Sequence, residues 1–174
     1  MSRNRSDAYR RLLDDLDRRL PPEAMVDRMT TFVDLAWSRL RETEVSWLGF
    51  YMLVPDDPES LILGPRRDRP ACSPIGLHGV CGQSLRSGLT RVVDDVLALG
   101  SDYVACDPRD RAEIVIPLSS GTPGPHPADM VLDLDSFESD SFSDDDDIGL
   151  RACLEKAGFR PVGGPRALGT VSQS

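Results

Sequence analysis

The sequence predicts an α+β domain in which helices bracket an antiparallel β-sheet. Near both ends of the chain the apolar residues recur every three or four positions, the spacing that places them on one face of a helix. Between residues 45 and 136 the apolar runs are shorter and rich in β-branched and aromatic residues, as in strands. Strands that are grouped between helices, instead of alternating with them, are typical of α+β architecture. With 174 residues, 40% of them hydrophobic, we expect one domain with one core.

Two helices are predicted before the strands. The first covers residues 6–20, and we expect Ser6 or Asp7 to cap its N-terminus. The second covers residues 21–42 and opens with prolines, which suit the first turn of a helix. The apolar faces consist of Tyr9, Leu12, Leu13, Leu16 and Leu20 in the first helix and of Met25, Met29, Phe32, Val33, Ala36 and Leu40 in the second.

Five runs downstream predict strands, and a last helix follows them. The strands are "VSWLGFYMLV" (45–54), "SLILGP" (60–65), "TRVVDDV" (90–96), "EIVIPL" (113–118) and "MVLDLDS" (130–136). The last helix is predicted over residues 143–159, with acidic residues at its N-terminal end, where the helix dipole favours them. Its apolar positions at helical spacing are Ile148, Leu150, Cys153 and Leu154.

Three other segments differ from these elements in composition. Residues 119–130 are rich in proline and glycine and predict a long hairpin loop. Residues 138–147 are mostly aspartate and serine, and we interpret them as a solvated surface segment. The domain is predicted to span residues 1–157. Because the end of the chain lacks hydrophobic periodicity, residues 158–174 are expected to form a flexible C-terminal tail.

The charge of the chain restricts its partners. Its 20 basic and 29 acidic residues give a net charge of -9, which repels nucleic acids and anionic membrane surfaces. No apolar run approaches the roughly 18 residues of a spanning helix, and the N-terminus lacks the apolar segment of a signal peptide. We therefore expect a cytoplasmic protein. Its four cysteines are too few for a disulfide scaffold, and point instead to core packing, metal binding or redox chemistry.

Three of the cysteines occur in an ordered set of motifs. Cys72 lies in "PAC", Cys81 in "GVCG" and Cys106 in "ACD", and these motifs are accompanied by "WLGFY", "LGP" and "VLDLDS". Over about residues 25–155 this set resembles the free methionine-(R)-sulfoxide reductases, which are single GAF domains. The resemblance implies a sheet of about six antiparallel strands flanked by helices, which agrees with the pattern-based prediction. It also implies reduction of free L-methionine-(R)-sulfoxide without a cofactor.

The resemblance assigns each of these cysteines a role. It makes Cys106 the nucleophile that attacks the sulfoxide sulfur and becomes a sulfenic acid. Cys72 is then the resolving thiol, which converts the sulfenic acid into a disulfide, and Cys81 is an auxiliary thiol. A thioredoxin-type dithiol would reduce the disulfide and restart the cycle.

Acidic and aromatic residues complete the predicted site. Asp133 and Asp135 are two positions apart on a strand, so their side chains face the same way. Carboxylates that share a pocket with Glu113 cannot all ionise, and at least one is expected to hold a proton. The resemblance implies that these three acids hold the sulfoxide oxygen, while ionised members of the set could also meet the substrate ammonium. It also implies that an aromatic pair walls the pocket around the methyl end of the substrate. The residues it places around the substrate are Trp47, Tyr51, Asp107, Glu113, Asp133 and Asp135.

Other interpretations stay open at this point. A GAF domain can bind or sense a small molecule without turning it over, and an inactive descendant of the enzymes would keep the same motifs. We expect no metal, because His78, His126, Cys72 and Cys81 lack the paired spacing of a structural zinc site. Cys153, on an apolar helical face, is interpreted as core. The oligomeric state, including a homodimer, is left open.

Overall fold

The computed structural model describes residues 3–19, 22–102 and 106–164. Its helices are α1 (Arg3–Asp17), α2 (Met25–Leu40), α3 (Val80–Ser87) and α4 (Asp144–Lys156), with a short 3₁₀ segment over Val96–Asp102. Its strands are β1 (Val45–Val54), β2 (Asp57–Arg67), β3 (Ile75–Gly76), β4 (Arg91–Val93), β5 (Ala112–Leu118) and β6 (Met130–Ser136). They form a six-stranded sheet in the order β3-β2-β1-β6-β5-β4, with every neighbouring pair antiparallel. The predicted α+β class and six-stranded antiparallel sheet are confirmed.

The sheet is covered on both faces, and the alternation of side chains along each strand divides its residues between two clusters. On β5, Ile114 and Ile116 point into a large core shared with α1, α2 and α4. Val115, between them, belongs to a second cluster that includes residues of α3. Glu113 is two positions before Val115 and therefore points to the same face of the sheet. This second face carries the polar residues that concern function.

The predicted starts of two helices differ from the structure. Helix α1 begins at Arg3, so Ser6 and Asp7 lie inside the helix instead of capping it. Helix α2 begins at Met25, and Pro22 precedes it, with its carbonyl oxygen accepting a hydrogen bond from Arg28 Nε at 3.0 Å. That bond fixes the turn before the helix, which propensity alone does not reveal. The predicted positions Leu20 and Pro21 lie outside the described residues.

The strand predictions have the observed bounds for β1 and β6, begin one residue late for β5, differ more at the ends of β2 and β4, and miss the short β3. Strand β2 continues through Gly64 and Pro65 to Arg67. It tolerates the proline because the pairing with β1 has an irregularity between Gly49 and Tyr51, and prolines are accepted at such bulges. Strand β4 ends at Val93, three residues before the predicted end.

Helix α3 was not predicted. Its buried residues Val80, Cys81, Ser84 and Leu85 follow helical spacing, but the glycines around them obscured the pattern. The helix ends at Ser87 and is capped by Gly88, whose positive φ of 66° favours glycine. Gly82 faces the backbone of Leu77, where an added Cβ would come within 2.2 Å of its Cα, so a glycine lets α3 pack closely on the preceding loop.

The acidic segment is not wholly solvated: the expectation was wrong for its last two residues and for Phe142, which is 4% exposed and lies in the main core. Asp146 and Asp147 are completely buried at the N-terminus of α4. Tyr9 donates a hydrogen bond to Asp146 at 2.9 Å. Asp147 accepts hydrogen bonds from Arg151 Nε at 2.7 Å and from Thr90 Oγ1 at 2.8 Å. These acids are buried because specific donors from distant parts of the chain surround them, which a local charge count cannot show.

The described part of the predicted tail contacts the sheet. Val162 N donates to Pro117 O, and Ser119 N donates to Arg160 O, both at 2.9 Å. The boundary at residue 157 stays a prediction, and residues 165–174 lie outside the described residues. Within the described ranges, every helix is too short or too polar to cross a lipid bilayer.

Candidate active site

A pocket of about 510 Å³, counted with the solvent at its mouth, opens beside α3 on the second face of the sheet. Seven of the predicted site residues line it. They are Trp47, Tyr51, Cys81, Cys106, Glu113, Asp133 and Asp135. The strands bring these residues together from distant parts of the sequence, since β1, β6 and β5 are adjacent in the sheet.

Glu113, Asp133 and Asp135 form an acid cluster on β5 and β6. Glu113 is the direct partner of Asp135 across the two strands, and Asp133 is the partner of Val115. Each acid offers an oxygen within 4.8 Å of the others, a separation that would also suit a bound cation. Glu113 and Asp133 are each only 7% exposed. Among the described residues, Glu113 Oε1 and Asp133 Oδ1 have no hydrogen-bond partner, so both are free to contact a ligand.

The cluster favours protonated carboxyl groups. Burial raises the pKa of Glu113 well above its ordinary value, and the charges of Asp135 and Asp110 raise it further. Burial likewise raises the pKa of Asp133 and of Asp135, with neighbouring carboxylates adding to the effect. Because neighbouring negative charges repel in a water-poor pocket, the cluster favours keeping a proton at pH values where a free carboxyl group is ionised. Such a group can act as a general acid.

Cys81 is a free, buried thiol at the start of α3. Its Sγ donates a hydrogen bond to Asp133 Oδ2 at 3.3 Å. Burial, followed by the negative charge of Asp133, raises the pKa of this thiol well above its ordinary value. The thiol is therefore a hydrogen-bond donor to the acid cluster and a poor nucleophile in this state.

The aromatic pair forms one wall of the pocket. The ring centroids of Trp47 and Tyr51 are 6.2 Å apart, and both side chains are buried. Trp47 Nε1 donates to Arg69 O at 3.0 Å, and the Tyr51 hydroxyl donates to Cys72 O at 2.9 Å. The pair thus holds the loop that carries Cys72. Gly49 lies between the two on β1, and an added Cβ there would come within 2.5 Å of the indole ring of Trp47.

Cys72 and Cys106 are joined by a disulfide, with their Cα atoms 5.4 Å apart, within the usual range. This is the pairing that the resemblance implied. Cys106 is exposed and lines the pocket, whereas the preceding residues 103–105 lie outside the described part of the chain. A cysteine in a disulfide cannot serve as a thiolate ligand. In this state Cys72 is therefore not available to the zinc site that was considered with His78, His126 and Cys81.

The structure places Asp107 beside the pocket instead of in it. Arg109 binds Asp107 with two side-chain hydrogen bonds, of 3.0 and 2.7 Å, and the backbone N–H of Arg109 adds a third. These bonds lower the pKa of Asp107 to about 2. Asp107 lines a smaller neighbouring pocket together with Arg69 and Cys106.

Asp110 is a pocket residue that the sequence analysis missed. The residue is 4% exposed and lines both the main pocket and the smaller one. The sequence offered a signal, because Asp110 lies between the cysteine of "ACD" and the predicted strand that begins at Glu113. Three nearby charged residues made it look like one more solvated acid. Only the turn closed by the bond from Asp110 N to Asp107 O, at 3.1 Å, directs it inwards.

Comparisons with known proteins identify relatives of the chain in sequence and in fold. The free methionine-R-sulfoxide reductase of Escherichia coli (strain K12) is 37% identical to the chain over 121 residues, which are 67% of this chain and 68% of that protein. An X-ray structure of free methionine-R-sulfoxide reductase from Neisseria meningitidis in complex with its substrate superposes with a TM-score of 0.76 at 28% identity, covering 90% of each chain. A structure of the GAF domain also gives a TM-score of 0.76, at 25% identity, covering 90% of this chain and 88% of that one. No family model matches the sequence.

Proposed function

Because the chain belongs to the family of free methionine-R-sulfoxide reductases and has their GAF fold, we propose that it reduces free L-methionine-(R)-sulfoxide to methionine. One observation carries the proposal. Cys106 and the acid cluster line the same pocket, so a nucleophile and a proton donor can meet one small sulfoxide. The aromatic wall of Trp47 and Tyr51 provides an apolar surface for the methyl group.

The first step oxidises the enzyme and reduces the substrate by two electrons. The Cys106 thiolate attacks the sulfoxide sulfur while a protonated member of the acid cluster donates its proton to the sulfoxide oxygen. The sulfur–oxygen bond of the substrate breaks as the oxygen passes to Cys106. The products are methionine and a Cys106 sulfenic acid. The acid cluster is then reprotonated from solvent.

The second step forms the disulfide between Cys72 and Cys106. The Cys72 thiol attacks the sulfenic acid sulfur, a disulfide bond forms, and water leaves. An external dithiol of the thioredoxin type then exchanges with this disulfide, becomes a disulfide itself and returns both cysteines as thiols. The exposed position of Cys106 gives such a reductant access.

Cys106 needs a positive charge nearby, since the acid cluster disfavours its thiolate. Arg69 lines the smaller pocket with Cys106 and supports this part of the proposal. The guanidinium of Arg69 lies over the ring of Phe137 at 5.0 Å and donates to Ser46 O at 3.1 Å, contacts that hold it in place.

The test is a coupled assay that follows NADPH oxidation with thioredoxin and its reductase. We expect turnover of the free R form, and no turnover of the free S form or of a peptide-bound R form. Cys106→Ser, assayed in parallel, controls for background oxidation. Binding of the free sulfoxide without NADPH oxidation would instead identify a sensor or an inactive descendant. Equal turnover of peptide-bound sulfoxide would contradict selectivity for the free amino acid.

A further inference from the structure

Asp110 is a buried acid with an unsatisfied oxygen in the proposed catalytic pocket. It is 4% exposed, and its Oδ1 has no hydrogen-bond partner among the described residues. An unpaired buried carboxylate oxygen costs free energy, and a donor on a bound ligand would remove that cost. No other role in the proposed reaction uses this group.

The position of Asp110 differs from that of the acid cluster. The cluster lies on β5 and β6, whereas Asp110 lies in the turn that precedes β5, where the main and smaller pockets meet at Cys106. A sulfoxide whose sulfur faces Cys106 and whose oxygen faces the cluster must still place its amino-acid end elsewhere. Asp110 lies where the two pockets meet, next to the acid cluster, and offers a carboxylate at that position.

We propose that Asp110 binds the α-ammonium group of free methionine sulfoxide and thereby selects the free amino acid over peptide-bound forms. The inference rests on the proposed function, because it assigns a part of the same substrate. The proposal names a cationic amine because its N–H groups can donate a hydrogen bond to the unpaired carboxylate oxygen, and its positive charge strengthens that bond.

The two ends of the substrate require carboxyl groups in opposite protonation states. The sulfoxide oxygen needs a proton, while the ammonium group needs an ionised carboxylate. Burial and Asp107 raise the pKa of Asp110 to about 6, and Arg69 and Arg109 oppose that rise. The cluster acids have their pKa values raised well above normal, partly by the charge of Asp110. A pKa of about 6 leaves Asp110 mostly ionised at neutral pH, while burial favours the protonated forms of the cluster acids.

The experiment compares two substrates in the wild type and in Asp110→Asn. One is free L-methionine-(R)-sulfoxide, and the other is (R)-4-(methylsulfinyl)butanoate, which has the same chain without the amine. For the free amino acid, Asp110→Asn should raise KM by about 10- to 100-fold, the scale of one hydrogen bond to a charged group. The KM for the desamino compound should stay within about twofold. Asp110→Glu, which keeps the charge, should recover part of the loss.

Asp95→Asn is the matched control, because Asp95 is ion-paired with Arg111 and lies outside both pockets. We also expect the wild-type KM for the free amino acid to fall as pH rises through about 6, and this dependence should vanish in Asp110→Asn. An unchanged KM in a folded, active Asp110→Asn variant overturns the inference. The inference is also overturned if Glu113→Gln raises the KM for the free amino acid but not for the desamino compound, since that result would place the ammonium at the cluster. A wild type that cannot reduce the free sulfoxide refutes the proposed function instead.

Discussion

Cys81 and Asp133 are linked by a hydrogen bond of 3.3 Å in which the thiol donates to the carboxylate. The bond connects α3 to β6 within the proposed active site. It lowers the pKa of Asp133 against the larger effect of burial, and it stabilises the protonated thiol. We therefore predict that Cys81 positions the acid cluster, and its role as an auxiliary thiol stays a prediction to be tested.

This assignment predicts a difference between two Cys81 variants. Cys81→Ser keeps the donor, and kcat/KM should stay within about fivefold of the wild type, because one hydrogen bond is replaced by another. Cys81→Val removes the donor, so the pKa of Asp133 should rise further and the pH profile should shift to higher pH. Steady-state rates over a pH series check both. A Cys81→Ser variant that releases one methionine and then stalls would make Cys81 the resolving thiol.

The two bridged cysteines should have different kinetic signatures. Cys106→Ser should abolish even a single turnover, because no nucleophile remains. Cys72→Ser should release about one methionine per enzyme and then accumulate as a sulfenic acid. Rapid-quench measurement of methionine, with mass spectrometry of the protein, distinguishes the two outcomes. Cys153→Ser is the control, since Cys153 lies in the main core. Multiple turnovers by Cys106→Ser would show that the nucleophile is misassigned.

Glu113 should contribute to turnover and lower the stability of the fold when it ionises. Glu113→Gln removes a proton donor, and turnover should fall by about 10²-fold or more, the scale of general acid catalysis. The folded-state pKa of Glu113 lies above its ordinary value of 4.5, so ionisation favours the unfolded chain. Wild-type stability should therefore decrease as pH rises above that value, and Glu113→Gln should flatten the decrease.

Urea unfolding at several pH values measures this effect. The exposed Glu155 on α4 provides the control variant Glu155→Gln, which should leave the pH dependence unchanged. Identical pH profiles in Glu113→Gln and the wild type would mean that Glu113 is not desolvated in solution.

The buried acid at the start of α4 predicts a large stability difference between neighbours. Asp147→Ala should lower the free energy of unfolding by about 3–5 kcal/mol, because it leaves Arg151 buried without its carboxylate. Asp145→Ala, on the exposed side of the same turn, should cost about 0.3–1 kcal/mol through the helix dipole. Denaturant unfolding of both variants measures the two losses in free energy of unfolding. Equal losses would contradict the burial of Asp147.

The sequence was sufficient for the elements with strong periodicity. Strands β1 and β6 have the predicted bounds, because their alternating residues match the two faces of the sheet over their full length. The same alternation placed Asp133 and Asp135 on one face. The motifs identified Cys72 and Cys106 as a functional pair, and the structure joins them.

Only the tertiary structure decided which acids are buried. Asp107 and Asp110 are three positions apart and look alike in the sequence, yet one is ion-paired beside the pocket and the other lines it. Asp145 and Asp147 show the same contrast, one exposed and the other fully buried. The local order of apolar and polar residues predicted the elements with strong periodicity. Burial and protonation depend on donors and charges supplied by distant segments, which no local pattern contains.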